Sequence, residues 1–188
     1  MDALMAAFVA AILAQASDRT PWLTAILSTR FAKPGAVIAG TVIALAIINA
    51  AGAIGGAIIG PRITPNAQNL LLALALLSAG GSALFPIKPP DRLSGWRIGA
   101  FATSLFGVAI LALGDRTQFL TAALAARSPT PVLAAVGATL GAMVVNIPAI
   151  ILGEEARKAL PLAAVRITVG VLFLLVGAVM ALSAVRLI

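Results

Sequence analysis

Two aspartates within long apolar stretches are the residues of this 188-residue chain best placed to do chemistry. Asp18 and Asp115 are each followed directly by an arginine and a threonine. An ionised carboxylate is costly inside a bilayer, so each aspartate should face a cavity or a charged partner. Carboxylate oxygens are ligands that hard divalent cations prefer. We therefore predict that Asp18 and Asp115 together form one metal-binding site near the middle of the membrane.

Neutral oxygen donors accompany the two aspartates. Gln15 precedes Asp18 by three residues, which places both side chains on one face of a helix, and we include it among the predicted cation ligands. Asn49 and Asn146 lie inside other apolar stretches, where they either bind the cation or form hydrogen bonds between helices, and the sequence favours neither. A site with only oxygen ligands suits manganese, calcium or magnesium. The residues predicted to support the two motifs are Ser17, Arg19, Thr20, Gly114, Arg116, Thr117 and Gln118.

The arginine after each aspartate leaves two interpretations open. Side chains of adjacent helical residues point about 100° apart. Arg19 and Arg116 could therefore extend toward water and leave two negative charges for a divalent cation. Alternatively, each arginine neutralises its own aspartate, and the pair only holds the helices together. We favour the cation site, because two acids within the membrane are a costly means of making a structural contact.

The elements that must position these residues are membrane-spanning helices. The chain is 61% hydrophobic and 10% charged, with a mean hydropathy of +1.10, which is more apolar than a soluble fold of this size can cover. A span of the hydrocarbon core needs about 20 apolar residues, and we predict an all-α membrane protein with six transmembrane helices. The predicted spans are 3–29, 35–59, 67–85, 96–126, 132–152 and 162–187, with a polar loop at 154–161. The motifs interrupt the first and fourth spans.

The first half of the chain recurs in the second half. The second Asp-Arg-Thr motif follows the first by 97 positions, and the same offset relates Pro34 to Pro131 and Asn49 to Asn146. Each copy contains three predicted spans, and an odd number of spans means that the second copy enters the membrane from the opposite side. We therefore predict one integral membrane domain of two inverted three-helix repeats, residues 1–87 and residues 88–188.

The distribution of charge indicates an orientation and excludes several functions. The net charge of +7 comes from single basic residues between apolar stretches, which argues against a nucleic-acid partner. Most predicted loop cations fall on the face opposite the chain termini, so the positive-inside rule places both termini outside the cytoplasm. A bacterial inner membrane suits so compact a chain. The chain has no cysteine and no histidine, and we expect no enzyme activity and no resident cofactor.

The two motifs resemble the core motif of the Gdt-one family, Gly-Asp-(Lys/Arg)-Thr. The copy that begins at Gly114 is the closer match, whereas Ser17 replaces the glycine in the first copy. The resemblance covers essentially the whole chain. It implies a secondary transporter in the lipid bilayer that exchanges manganese or calcium for protons. The family motif begins with a glutamate that the resemblance implies as part of the cation site. Gln15 and Ala112 occupy those two positions here, so four acids have become two.

Two other functions remain open on the sequence. With two acids and two arginines, the cavity could accept a monovalent cation or a small zwitterion as the transported substrate. The loss of both motif glutamates is instead compatible with a non-transporting membrane protein that acts as a structural or regulatory partner. A monomer and a homo-oligomer both fit the sequence. Transport of a divalent cation by alternating access at a midplane site is the leading hypothesis.

Overall fold

The computed structural model describes residues 2–16, 18–159 and 162–185, without the side chains of residues 156–159. Within these ranges the regular structure is entirely helical. The helices are α1 (Asp2–Ala16), α2 (Thr20–Phe31), α3 (Pro34–Ile59), α4 (Pro65–Leu84), α5 (Gly99–Ala112), α6 (Arg116–Ala126), α7 (Pro131–Ala159) and α8 (Leu162–Ala184). A short 3-10 helix, Gly60–Arg62, follows α3.

Prolines and a polar cap mark where several helices begin. Pro34 and Pro65 lie in the first turns of α3 and α4, and Pro131 begins α7. Proline is well suited to the first turn, because the N–H that it lacks would have no partner within the helix. The Thr64 side chain accepts a hydrogen bond from the N–H of Ala67 and so caps α4. These local signals explain why the helix starts lie within a few residues of the predicted ones.

The helices of the two halves begin at equivalent positions. α5, α7 and α8 begin 97 positions after α1, α3 and α4, which is the offset between the two motifs. The packing is also equivalent in the two halves: α1 and α2 pack on α7, and α5 and α6 pack on α3. α3 also packs against α7, and α4 packs against α8. Each half therefore supplies the helix on which the other half's motif segment packs.

The membrane-spanning capacity of the helices agrees with the composition. Among the described residues, four helices are long and apolar enough to cross a membrane, namely α3 with its 3-10 extension, α4, α7 and α8. α5 and α6 form a fifth candidate span that bends by 67° at its break. α1 is a shorter apolar helix, and the break between α1 and α2 contains Ser17, which lies outside the described residues. The structure supports four or five spans, and the sixth span and the inverted orientation stay predictions.

The predicted polar loop at 154–161 is helical in its described part. α7 continues to Ala159, so the loop prediction is wrong for residues 154–159. The interruption comes instead at Gly153, whose φ of 68° and ψ of −165° lie outside the helical range and kink α7. Glycine adopts a positive φ without the steric cost that a Cβ atom would bring. The charged residues after the kink therefore form a further helical segment rather than a loop.

Close packing of α3 against α6 depends on glycine along one face of α3. A Cβ atom at Gly52 would lie 2.8 Å from the carbonyl oxygen of Gln118, and one at Gly56 would overlap the carbonyl oxygen of Ala122. Gly55 is adjacent in sequence, but a Cβ atom there meets no atom within 4 Å. Small residues that let helix backbones approach each other are typical of interfaces between membrane helices.

Gly56→Ala is therefore expected to lower the free energy of unfolding by about 1–3 kcal/mol, since α3 and α6 must move apart to admit the methyl group. Gly55→Ala is the matched control, because it adds the same methyl group in open space and should leave the melting temperature unchanged or slightly raised. Thermal unfolding of both purified variants in one detergent measures the difference. Equal melting temperatures would contradict the close approach of α3 and α6.

Candidate functional site

Both aspartates lie where a helix is broken. Asp18 follows α1, and its backbone N–H donates to the carbonyl oxygen of Gln15 at 3.1 Å. Asp115 caps α6, since its Oδ1 accepts the N–H of Gln118 at 2.7 Å. Gly114 precedes it with a φ of 75°, a conformation that glycine permits. The two breaks place each carboxylate at the start of a half-helix, whose positive dipole end favours negative charge.

One cavity joins the two motifs. Asp18 and Asp115 both line a cavity of about 570 Å³, together with side chains of α4 and of the segment that follows α4. The structure therefore brings together the two residues predicted as metal ligands. The other predicted site residues that line this cavity are Arg19, Gly114 and Arg116. Among the described residues, no group of three or more acids, histidines or cysteines could hold a metal ion, so the two aspartates are the acidic ligands available here.

An ion pair connects the two motifs. Arg116 Nη2 lies 3.6 Å from Asp18 Oδ1, and only 15% and 12% of the two side chains are exposed. The hydroxyl of Thr20 donates to Asp18 Oδ2 at 3.1 Å. The arginine of the second motif thus compensates the aspartate of the first, whereas the sequence left open a pairing of each arginine with its own aspartate. Arg19 is exposed on the cavity wall.

One carboxylate oxygen of Asp115 has no hydrogen-bond partner among the described residues. Its Oδ2 is buried and makes no hydrogen bond within the described part of the chain. Leaving a buried acceptor unsatisfied costs about 1–3 kcal/mol, and more for a charged group. A cation at this oxygen would remove that cost, whereas a proton would remove only the charge. Asp115 is therefore the stronger candidate of the two aspartates for a direct cation ligand.

A buried hydrogen-bond chain lies beside the aspartates. The Gln15 amide donates to Thr117 Oγ1 at 3.0 Å and accepts from Asn146 Nδ2 at 3.1 Å. Thr24 Oγ1 in turn donates to Asn146 Oδ1 at 3.2 Å. Gln15 and Asn146 are fully buried. These hydrogen bonds join α1, α2, α6 and α7. Asn146 thus forms hydrogen bonds between helices, which is one of the two roles that the sequence left open for it.

The second predicted asparagine is placed differently. Asn49 Nδ2 donates to Thr139 Oγ1 at 3.2 Å, which joins α3 to α7. Gln118 supports the break before α6, because its Oε1 accepts the N–H of Gly114 at 2.6 Å. Its Nε2 also donates to the carbonyl oxygen of Ile48 at 3.3 Å. Asn49, Asn146 and Gln118 are not among the residues that line the aspartate cavity.

Sequence reasoning missed the contribution of α4. Ser78 and Ser82 of α4 line the cavity, and so does Lys88, which lies beyond the end of α4. The available signal was the spacing of the two serines, since residues four apart share one face of a helix. Ser17, which sequence reasoning included among the motif residues, lies outside the described residues.

The similarity of this chain to known proteins shows the same repeat. The family model described as "Divalent cation/proton antiporter GDT1" matches residues 3–90 and again residues 100–187. A curated relative from Vibrio cholerae serotype O1, described as "Putative manganese exporter", is 28% identical over 178 residues, which cover 94% of this chain and 89% of the relative. No solved structure matches the chain. The two matches to one family model begin 97 positions apart, as the two motifs do.

Proposed function

Because the chain belongs to the GDT1 family of divalent cation/proton antiporters, we propose that it carries manganese or calcium across a membrane in exchange for protons. The observation that supports this most directly is the shared cavity of Asp18 and Asp115, one from each repeat. Carboxylate oxygens suit both ions. The description of the Vibrio cholerae relative as a manganese exporter makes manganese the first ion to test.

Arg116 has a defined part in this proposal. A divalent cation between the two carboxylates would be repelled by a guanidinium 3.6 Å from Asp18 Oδ1. The cation therefore binds first at the unpartnered oxygen of Asp115, and Arg116 must move away before Asp18 can join the coordination. Since Arg116 and Asp18 belong to different motifs, this movement changes the contact between the two halves of the protein.

The proposed arrangement in the membrane is the predicted one. Several apolar helices and the family identify an integral multi-pass membrane protein. We place its halves, 1–87 and 88–188, as inverted repeats of three spans each, with broken first and fourth spans. Both termini then lie outside the cytoplasm of a bacterial inner membrane. The packing of each motif segment on a helix of the other half supports a rocking motion of one half against the other.

This motion would open the aspartate site to each side of the membrane in turn. On one side the carboxylates of Asp18 and Asp115 bind the cation, and after its release they carry protons on the return step. The transported cation and the protons are therefore the ligands of the site, and no resident cofactor is needed. No bond in the substrate is made or broken, so the protein acts as a transporter rather than an enzyme.

Flux in proteoliposomes tests the proposal. The purified protein is reconstituted with a pH-sensitive dye inside the vesicles, and manganese, calcium, magnesium or sodium is added outside. We expect manganese or calcium to drive proton release from the vesicles, with no response in protein-free vesicles. A response to sodium alone would favour the monovalent-cation alternative. The absence of any ion-driven response would favour a non-transporting membrane partner.

A further inference from the structure

The aspartate cavity carries more positive than negative charge. Arg19, Lys88 and Arg116 line it together with Asp18 and Asp115, which gives three cationic side chains against two carboxylates. Arg116 is already paired with Asp18. Arg19 and Lys88 are both exposed on the cavity wall. A cavity for a divalent cation would be expected to carry an excess of acids, so the additional cations call for another explanation.

Comparison of the two repeats shows that the fold does not require this polar wall. At the offset of 97 positions, Ser78, Ser82 and Lys88 correspond to Leu175, Val179 and Val185. α4 and α8 pack against each other as equivalent helices, but Leu175 and Val179 of α8 are exposed apolar residues that do not line the aspartate cavity. The hydroxyl groups are therefore particular to the helix that borders this cavity and are not a feature that both repeats share.

We propose that the part of the cavity lined by Arg19 and Lys88 binds an oxyanion, a phosphate or carboxylate group, beside the cation site. Arginine and lysine are the side chains that bind such groups through charge-assisted hydrogen bonds. The serine hydroxyls now donate to carbonyl oxygens of their own helix, at 3.0 Å each. A hydroxyl rotates freely, so each can donate to a bound oxyanion instead.

The bound oxyanion would offset the positive charge that opposes a divalent cation. Cation and oxyanion lie in one cavity, so each should raise the affinity of the other by the same factor. This consequence rests on the proposed cation transport, whereas the oxyanion site itself does not. The phosphate can come from solution or from the headgroup of an anionic lipid, since Lys88 follows the predicted end of a span.

Thermal unfolding of the metal-free protein in a neutral detergent tests the site without any cation or transport. Inorganic phosphate is titrated at constant ionic strength, with chloride as the balancing anion. We expect a saturable rise in melting temperature, and Lys88→Gln should weaken the phosphate affinity at least about tenfold. The Ser78→Leu/Ser82→Val double variant, which introduces the residues of the other repeat, should weaken it as well. Lys33→Gln is the matched control, because Lys33 is exposed but does not line the cavity.

A second arm identifies the source of the oxyanion. The same variants are melted in vesicles of phosphatidylcholine alone and of phosphatidylcholine with phosphatidylglycerol. Stabilisation that depends on Lys88 and appears only with phosphatidylglycerol assigns the site to a lipid headgroup, and stabilisation by dissolved phosphate assigns it to a free oxyanion. Equal responses of wild type, Lys88→Gln and Lys33→Gln in both arms would overturn the proposal. Failure of ion-driven flux with intact phosphate binding would overturn only the proposed transport.

Discussion

Asp115→Asn is expected to weaken cation binding strongly while the fold stays intact. The amide keeps the oxygen that accepts the N–H of Gln118 at 2.7 Å, and asparagine caps a helix about as well as aspartate. The substitution removes the negative charge and replaces the buried, unpartnered oxygen with an amide nitrogen. A hydrogen bond or ligand contact to a charged group is worth about 1.5–3 kcal/mol, which corresponds to roughly 10- to 100-fold weaker cation binding.

Manganese binding by calorimetry and manganese-driven proton flux measure this effect, and the melting temperature checks the fold. Asp2→Asn is the matched control, because Asp2 is exposed at the start of α1 and does not line the cavity. The Asp18→Asn/Asp115→Asn double variant should show no flux at all. Wild-type flux in the double variant would show that the transported ion does not use these carboxylates.

The helical framework was predictable because its signals are local. Apolar length predicts the helices, prolines predict the starts of α3 and α7, and Gly114 beside Asp115 predicts the break before α6. The continuation of α7 beyond Gly153 was not predictable in this way. Charged residues after a glycine are typical of a loop, but they also form a helix when the chain can resume helical geometry after a kink.

The types of residue at the site were predictable, but their partners were not. The repeated motif indicates that Asp18 and Asp115 belong together, and the structure places both on one cavity. The pairing of Arg116 with Asp18 depends on how two segments almost a hundred residues apart approach each other. The contact of Gln15 with Asn146 depends likewise on the packing of α1 on α7. Neither of these two contacts can be predicted from the residues that are local in sequence.

Gln15→Glu is expected to raise the affinity for a divalent cation at least about tenfold, since one additional charged ligand contributes about 1.5–3 kcal/mol. The present hydrogen-bond partners of Gln15 could both donate to a carboxylate at this position. Asn146 Nδ2 would donate to it as it now donates to Gln15, and the Thr117 hydroxyl, which now accepts, can rotate and donate. Gln15 does not line the cavity of Asp115, but it lines a second cavity of about 340 Å³ together with Asp18, which the new carboxylate would share. Calorimetric titration with manganese and with calcium measures the change.

Ala112→Glu provides the contrasting variant, because Ala112 is the equivalent position in the other repeat. It is fully buried and belongs to an apolar cluster with Leu23 and Val108. A glutamate there would bury a charge among apolar side chains, and we expect it to destabilise the protein rather than to bind a cation. A higher cation affinity of Ala112→Glu, with an unchanged cation affinity of Gln15→Glu, would contradict the placement of the cation near Gln15. It would place the cation on the side of α5, which packs on α3, rather than beside the hydrogen bonds of Gln15.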